Sequence, residues 1–148
     1  MRDWNNLSPE NRIKEWRLFR KEISTLDVES QLQKTAIFFR EFPQGKRCID
    51  FYNPETWPSP WEILDQHMFC KNTTALMIFH TLYVVFEEKL RNNLKILLID
   101  DNQDRYLIVE FDNKYVINYY SGLVFKIDAK KEFEVIDVFD KKISKIIN

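Results

Sequence analysis

The sequence predicts an α+β fold in which N-terminal helices and one central helix pack on an antiparallel β-meander. Apolar residues recur at helical spacing in the first part of the chain and run almost unbroken from Ala75 to Phe86. From Leu94 onward the pattern changes to short β-rich runs. Strands and helices do not alternate, which argues against a doubly wound parallel sheet. At 148 residues the chain fits one domain, 1–148.

Two helices are predicted in the N-terminal helical part, residues 1–45. The tripeptide Ser8-Pro9-Glu10 combines a capping side chain, a proline at the first helical position and an acidic first turn. A helix is therefore expected from about Pro9 to Thr25. Asp27 is expected to cap a second helix, from about Val28 to Glu41.

Residues 46–69 are predicted to form a connector rich in proline and tryptophan. Within it, Ser59-Pro60-Trp61-Glu62 repeats the cap-plus-proline start, which predicts a short helix over 60–66. The central helix is expected from about Cys70 to Leu90, and its apolar character nearly all round indicates a buried position. Residues 141–148 form a basic and apolar tail, expected to make a final turn or to dock on a partner.

The part from 70 to 140 is completed by a predicted antiparallel sheet. Two-residue turns at Asp112-Asn113 and Ser121-Gly122 are expected to join successive strands as hairpins, the first of them pairing Phe111 with Lys114. The predicted strands are 94–99, 105–111, 114–120, 123–127 and 133–139.

Composition argues against several classes of function. Gly45 and Gly122 are the two glycines of the chain, too few for a GxxxxGK[ST] phosphate loop or a GxGxxG dinucleotide turn. The net charge of -1 gives no overall field that would hold nucleic acid or an anionic membrane, so neither is expected as a partner. The two histidines and two cysteines form no cluster, so no metal and no cofactor are expected.

The start of the chain is polar and lacks the apolar segment of a signal peptide. A reducing, cytoplasmic location is therefore expected, in which Cys48 and Cys70 are free thiols, although the two could in principle pair.

A stretch of the connector and central helix resembles the bacterial transglutaminase-like cysteine proteinases. It reads Thr56-Trp57-Pro58-Ser59-Pro60-Trp61-Glu62-Ile63-Leu64, then five residues, then Cys70, with Ala75 and Leu82 in the apolar helix that follows. In that family a W-x-x-P-x-E-x-L helix precedes the cysteine that opens the central helix, and strands carrying His and then Asp or Asn come after it. The resemblance covers roughly residues 50–120. It implies a papain-like or transglutaminase-like core with Cys70 at the nucleophile position.

The position of Cys70 suits a nucleophile. A thiol at a helix N-terminus lies near unpaired backbone N–H groups and the positive end of the helix dipole, which favour the thiolate. Lys71 adds a positive charge beside it. The alternative is that Cys70 is a small buried apolar residue at the start of a core helix.

The general base is the missing part of this site. Asn118 matches the family's third position, where Asn or Asp orients the histidine, and the predicted hairpin register places it opposite Leu107. The histidine position then falls on Leu107, or on Arg105 or Tyr106 if the register slips. None of these side chains accepts a proton near neutral pH as imidazole does.

Neither histidine of the sequence replaces that base well. His80 lies ten residues along the helix from Cys70, about 15 Å away at 1.5 Å per residue. His67, three residues before Cys70, is the one reachable imidazole and is kept as an alternative base. Phe69 and Lys71 also replace the Asp and Glu that flank the cysteine in the family.

Two classes of function remain. The first is a non-catalytic transglutaminase-like domain that acts as a protein-interaction or structural module. Its start, Trp4 to Glu10, and its Ile-, Lys- and Asn-rich composition look similar to small proteins of tailed bacteriophages, so a virion or assembly role with other virion proteins is expected. The alternative is a cysteine hydrolase or acyl transferase that uses Cys70.

Large aromatic side chains in the connector are the predicted binding anchors. Trp57, Trp61 and Tyr52 lie in a proline-rich stretch that regular secondary structure cannot bury entirely. The alternative is that they pack over the Cys70 helix.

Overall fold

The computed structural model describes residues 2–127 and 132–139. It contains five α-helices, α1 (Pro9–Ile23), α2 (Val28–Arg40), α3 (Pro60–Asp65), α4 (Lys71–Val85) and α5 (Glu88–Arg91), and a 3-10 turn at Pro54–Thr56. Five strands follow them, β1 (Leu94–Asp100), β2 (Arg105–Phe111), β3 (Tyr115–Ile117), β4 (Val124–Lys126) and β5 (Glu134–Phe139). The predicted α+β fold is confirmed.

The strands form one antiparallel sheet in the order β4-β3-β2-β1-β5. The first four strands are the predicted meander. The fifth departs from it, because β5 does not lie beside β4 but returns to the opposite edge and pairs with β1. The predicted tail at 141–148 lies outside the described residues.

The helix starts follow the local sequence signals. The Ser8 hydroxyl accepts a hydrogen bond from the Asn11 N–H at 3.2 Å. Ser59 and Glu62 form a reciprocal capping box, in which each side chain bonds the backbone N–H of the other residue. Asp27 stands at the start of α2 as predicted, but its side chain makes no capping hydrogen bond.

Helix α4 lies at the centre of the molecule, packed against β2, β1 and α2, with eleven consecutive buried residues from Asn72 to Leu82. It is shorter than predicted. The chain becomes extended at Phe86, whose buried ring packs 4.9 Å from the ring of Phe111, and α5 then begins as a separate short helix. The core contact of Phe86 therefore replaces the predicted continuation of the helix.

The β2–β3 hairpin has the predicted turn but a different register. Asp112 and Asn113 both have positive φ, 57° and 53°, and the Lys114 N–H donates to the Phe111 carbonyl at 3.0 Å. The Lys114 carbonyl, however, accepts from the Ile127 N–H beside β4, and Phe111 pairs with Tyr115 in the ladder. The register is thus shifted by one residue from the expected pairing.

No helix within the described ranges is long and apolar enough to span a bilayer.

Candidate functional site

Cys70 is the residue that caps α4. Its sulfur accepts a hydrogen bond from the Thr73 N–H at 3.4 Å, and its own N–H donates to the Thr73 hydroxyl at 2.9 Å. The short polar side chain of Thr73 thus completes a capping box with the cysteine. Cys70 is buried, with 1% of its surface exposed. The structure therefore places the predicted nucleophile at the helix N-terminus.

Burial and hydrogen bonding act in opposite directions on the pKa of this thiol. Burial acts to raise the pKa of Cys70, but hydrogen bonds from the Thr73 N–H and from Cys48 outweigh it, so that the pKa is lowered below its ordinary value. A sulfur that receives several donors is stabilised as the thiolate.

The partner of this sulfur is a second cysteine. The Sγ atoms of Cys48 and Cys70 lie 3.5 Å apart, with the Cys48 thiol as the donor, and both thiols are free. Although Cys48 is exposed as a residue, partial burial of its thiol, followed by the hydrogen bond to Cys70, raises its pKa to about 12. Sequence reasoning noted that the two could pair but did not place Cys48 at the site. The signal was that these are the two cysteines of the chain.

A cleft of about 320 Å³ opens beside Cys70 between the start of α4 and the start of β2. Its lining is polar, and three of its four charged side chains are cationic. The lining residues are Gly45, Arg47, Cys70, Lys71, Asn72, Asp104, Arg105 and Tyr106.

Arg105, one of the three positions predicted to replace the family's histidine, lies on the strand side of this cleft. Leu107 faces the core between the sheet and the helices, where it is fully buried, and residues alternate along a strand, so Arg105 shares its face. The Arg105 guanidinium donates to the Tyr52 hydroxyl at 2.9 Å and to the Asp100 carboxylate at 3.1 Å. These contacts raise the pKa of Arg105, so its side chain stays charged and accepts no proton.

Asn118 is used for structure in this arrangement. Its side-chain amide donates to the carbonyls of Lys71 and Leu107, both at 3.0 Å. The Leu107 N–H in turn donates to the Asn72 side chain at 2.9 Å. Because β3 ends at Ile117, opposite Val109, these two asparagines bond the backbone of Leu107 on the side where β3 no longer pairs with β2. Asn118 therefore ties the start of α4 to β2.

The two histidines lie elsewhere. His67 is exposed, hydrogen-bonds Asn5 at 2.9 Å through Nε2, and packs against Phe69 with ring centroids 4.4 Å apart. His80 is buried in α4, and burial lowers its pKa to about 4. Neither ring is hydrogen-bonded to the Cys70 sulfur, whose described partners are Thr73 and Cys48.

The predicted aromatic anchors separate into different environments. Trp57 is 2% exposed, donates its indole N–H to the Asp50 carbonyl at 2.8 Å and packs 5.0 Å from the Phe139 ring. An anchor needs an exposed ring, so the binding role predicted for Trp57 is corrected to a packing role. Tyr52 is 57% exposed beside Arg105. Trp61 is 36% exposed and contacts Trp16 of α1 instead of the cleft.

Within residues 2–127 and 132–139, no group of three or more His, Cys, Asp or Glu side chains could hold a metal ion. Phe69, which stands where the resembling family has a carboxylate, is buried among Trp4 and Phe42 in the core.

Comparison with solved structures finds LapG of Legionella pneumophila in three forms. The calcium-bound form superposes with a TM-score of 0.74 and 17% identity, covering 92% of this chain and 78% of LapG. A second LapG structure gives a TM-score of 0.73, 17% identity and coverage of 90% and 77%. The EGTA-treated form gives 0.72, 17% identity and coverage of 90% and 74%. No protein-family model and no curated protein matches the sequence.

LapG is a transglutaminase-like cysteine protease. At 17% identity the likeness establishes the fold and not the activity. The predicted papain-like or transglutaminase-like core is thereby confirmed, whereas the similarity to small phage proteins gains no support from these structures. The chain has a transglutaminase-like α+β fold.

Proposed function

We propose that the chain is a non-catalytic transglutaminase-like domain that binds an acidic segment of a partner protein in the Cys70 cleft. The observation that carries this proposal is Arg105, which lines the cleft beside Cys70 at one of the positions predicted for the family's histidine and is hydrogen-bonded to Tyr52 and Asp100. A guanidinium cannot relay the protons of acyl transfer.

The charge of the cleft supports an acidic ligand. Arg47, Lys71 and Arg105 line it, against the single carboxylate of Asp104. Two of the cations also lie over aromatic rings, Arg47 at 4.8 Å from the Phe51 centroid and Lys71 at 3.7 Å from the Tyr106 centroid. Carboxylates of a bound segment would meet positive side chains that are already held in position.

Tyr52 supports a polypeptide ligand. Its ring is exposed, and its hydroxyl is held by Arg105 at the edge of the cleft. An exposed tyrosine of fixed orientation offers a large contact area at a low cost in conformational entropy. A virion or assembly role remains a prediction from composition and adds nothing to this argument.

Selection from a library of random peptides displayed on particles tests the binding function. Acidic peptides are expected to be enriched, and their affinity is expected to fall about tenfold or more in Arg47→Ala and Tyr52→Ala. Trp61→Ala is the matched control, because Trp61 is an exposed aromatic residue that contacts α1. Binding that is indifferent to both cleft variants would contradict the proposal.

The same peptides test the absence of catalysis. Incubation with wild-type protein is expected to give no cleaved peptide and no acyl adduct on Cys70 by intact mass. Cleavage that disappears in Cys70→Ser would instead establish an enzyme.

A second candidate, a cysteine hydrolase or acyl transferase using Cys70, is favoured by the lowered pKa of that thiol beside an open cleft. A thiolate attacks without a base, but the leaving amine of a peptide needs a proton donor. An activated ester such as nitrophenyl acetate needs none. A Cys70-dependent burst with the ester and no peptide cleavage would separate a reactive thiol from a complete protease.

A further inference from the structure

Two thiols from distant parts of the chain meet beside the cleft. Cys48 lies 22 residues before Cys70, yet their sulfurs are 3.5 Å apart. A disulfide bond is about 2.05 Å long, so closing it requires a small movement of the side chains. The two cysteines also differ in exposure, since Cys48 is exposed and Cys70 is buried at the helix cap.

The backbone holds the connector at this place. The Gly45 N–H donates to the carbonyl of Phe69, the residue before Cys70, at 3.0 Å. The approach is so close that a Cβ at Gly45 would lie 2.8 Å from that carbonyl oxygen. A residue shortly before Cys48 is therefore held against the residue before Cys70. The short distance between the two sulfurs follows from this backbone packing.

The two cysteines suit two different roles in oxidation, Cys70 as the thiol that reacts with a peroxide and Cys48 as the thiol that resolves the product. Peroxides react with thiolates, and the Cys70 sulfur receives hydrogen bonds that favour the thiolate. The Cys48 thiol remains protonated and points at that same sulfur. Once Cys70 is oxidised, Cys48 is the nearest nucleophile that can resolve the product.

We propose that Cys48 and Cys70 form a redox modification site, at which a peroxide oxidises Cys70 and Cys48 converts the product to an intrachain disulfide. In the first step the Cys70 thiolate attacks the peroxide, the O–O bond breaks, and sulfenic acid and an alcohol or water form with uptake of one proton. In the second step the Cys48 sulfur attacks the sulfur of the sulfenic acid and the S–O bond breaks. The hydroxide that is displaced takes the Cys48 proton and leaves as water. The peroxide is reduced by two electrons, and a dithiol reductant restores both thiols.

This disulfide would change the candidate site. It would remove the free Cys70 thiol from the cleft and link the connector covalently to the start of α4. The inference goes beyond the proposed function, because it concerns the thiol pair whether the cleft binds a peptide or acts on one.

The test uses the full chain, reduced, freed of reductant and exposed to a small excess of hydrogen peroxide. Trypsin releases both cysteines in one peptide, Cys48–Lys71, because no Lys or Arg lies between them. We expect this peptide to have lost two hydrogen atoms, and its fragments to stay joined after cleavage at Glu55 and Glu62. Dithiothreitol is expected to reverse the change. The oxidised chain is also expected to melt at a temperature higher by about 5 °C.

Two matched variants assign the roles. In Cys48→Ser, Cys70 is expected to accumulate as sulfenic acid that dimedone traps, and then to reach sulfinic acid. In Cys70→Ser, the oxidation of Cys48 is expected to be about tenfold or more slower than the oxidation of Cys70 in Cys48→Ser, because the Cys48 thiol stays protonated. Wild-type chain unfolded in urea controls for chance pairing and is expected to form the link more slowly.

Several results would overturn the proposal. They are sulfinic acid at Cys70 in the wild-type chain without an internal link, a disulfide that joins two chains, or Cys48 reacting before Cys70. Each of these concerns sulfur chemistry alone. Failure of the peptide-binding proposal would instead appear in the Arg47 and Tyr52 variants, so that the two failures are distinguishable.

Discussion

The two sides of the Cys70 cleft use their polar groups differently. On the thiol side, Thr73 and Cys48 both direct hydrogen bonds at the Cys70 sulfur. On the strand side, Arg105 bonds Asp100 and Tyr52, while Asn118 bonds backbone carbonyls. The hydrogen bonds of the thiol side are thus directed at a sulfur, whereas those of the strand side are directed at backbone carbonyls and at neighbouring side chains.

The connector behind the thiol side is where the largest effect is expected. Trp57→Ala removes a buried indole that packs on Phe139 and bonds Asp50, and should lower the free energy of unfolding by about 3–5 kcal/mol. Tyr52→Ala, an exposed aromatic residue of the same connector, should change it by less than about 0.5 kcal/mol. Urea denaturation of both variants measures the difference. Equal losses of unfolding free energy in the two variants would contradict the prediction that the buried ring contributes more to stability than the exposed one.

Asn118 tests whether the strand side is structural. Asn118→Ala removes the side-chain donor that bonds the carbonyls of Lys71 and Leu107 and should cost about 1–3 kcal/mol of stability. The control is Asn11→Ala, on the exposed face of α1, which should change stability little. If Asn118→Ala were as stable as wild type while the alkylation rate of Cys70 fell, Asn118 would belong to the reactive site.

Arg105 tests what the strand side lacks. In Arg105→His, a permanent positive charge is replaced by one that is lost above the imidazole pKa of about 6.5, so the pH profile for alkylation of Cys70 by iodoacetamide should gain a step near that pKa. A nearby positive charge favours the thiolate, so the rate should be close to that of wild type below the imidazole pKa and several-fold slower above it. Arg105→Lys is the control, because it keeps the charge without the titration. Superimposable profiles for wild type and Arg105→His would show that residue 105 does not reach the sulfur.

Calcium should have the smallest effect. One LapG structure is calcium-bound, but within residues 2–127 and 132–139 of this chain no group of three or more His, Cys, Asp or Glu side chains could hold a metal ion. The melting temperature is therefore expected to be the same in calcium and in EGTA, with magnesium as the reference ion. A calcium-dependent rise would reveal a cation site outside the groups considered.

Local signals in the sequence determined much of the fold. Ser8 and Ser59 start helices because a side chain and a backbone N–H a few residues apart form the cap in any surroundings. The Asp112-Asn113 turn forms because both residues tolerate positive φ. Neither histidine lies in a predicted strand, which argued against a catalytic triad in the family's order, and α4 is buried because it has no polar face.

Tertiary packing decided the rest. The hairpin register differs by one residue from the predicted pairing of Phe111 with Lys114. The Lys114 carbonyl accepts a hydrogen bond from the Ile127 N–H, which lies outside the hairpin, and Phe111 pairs with Tyr115. Trp57 is buried and Tyr52 exposed, although both lie in one proline-rich stretch. Cys48 reaches Cys70 because Gly45 holds the connector against Phe69. Caps and turns depend on neighbours in the sequence, whereas these contacts depend on which distant surfaces meet when the core closes.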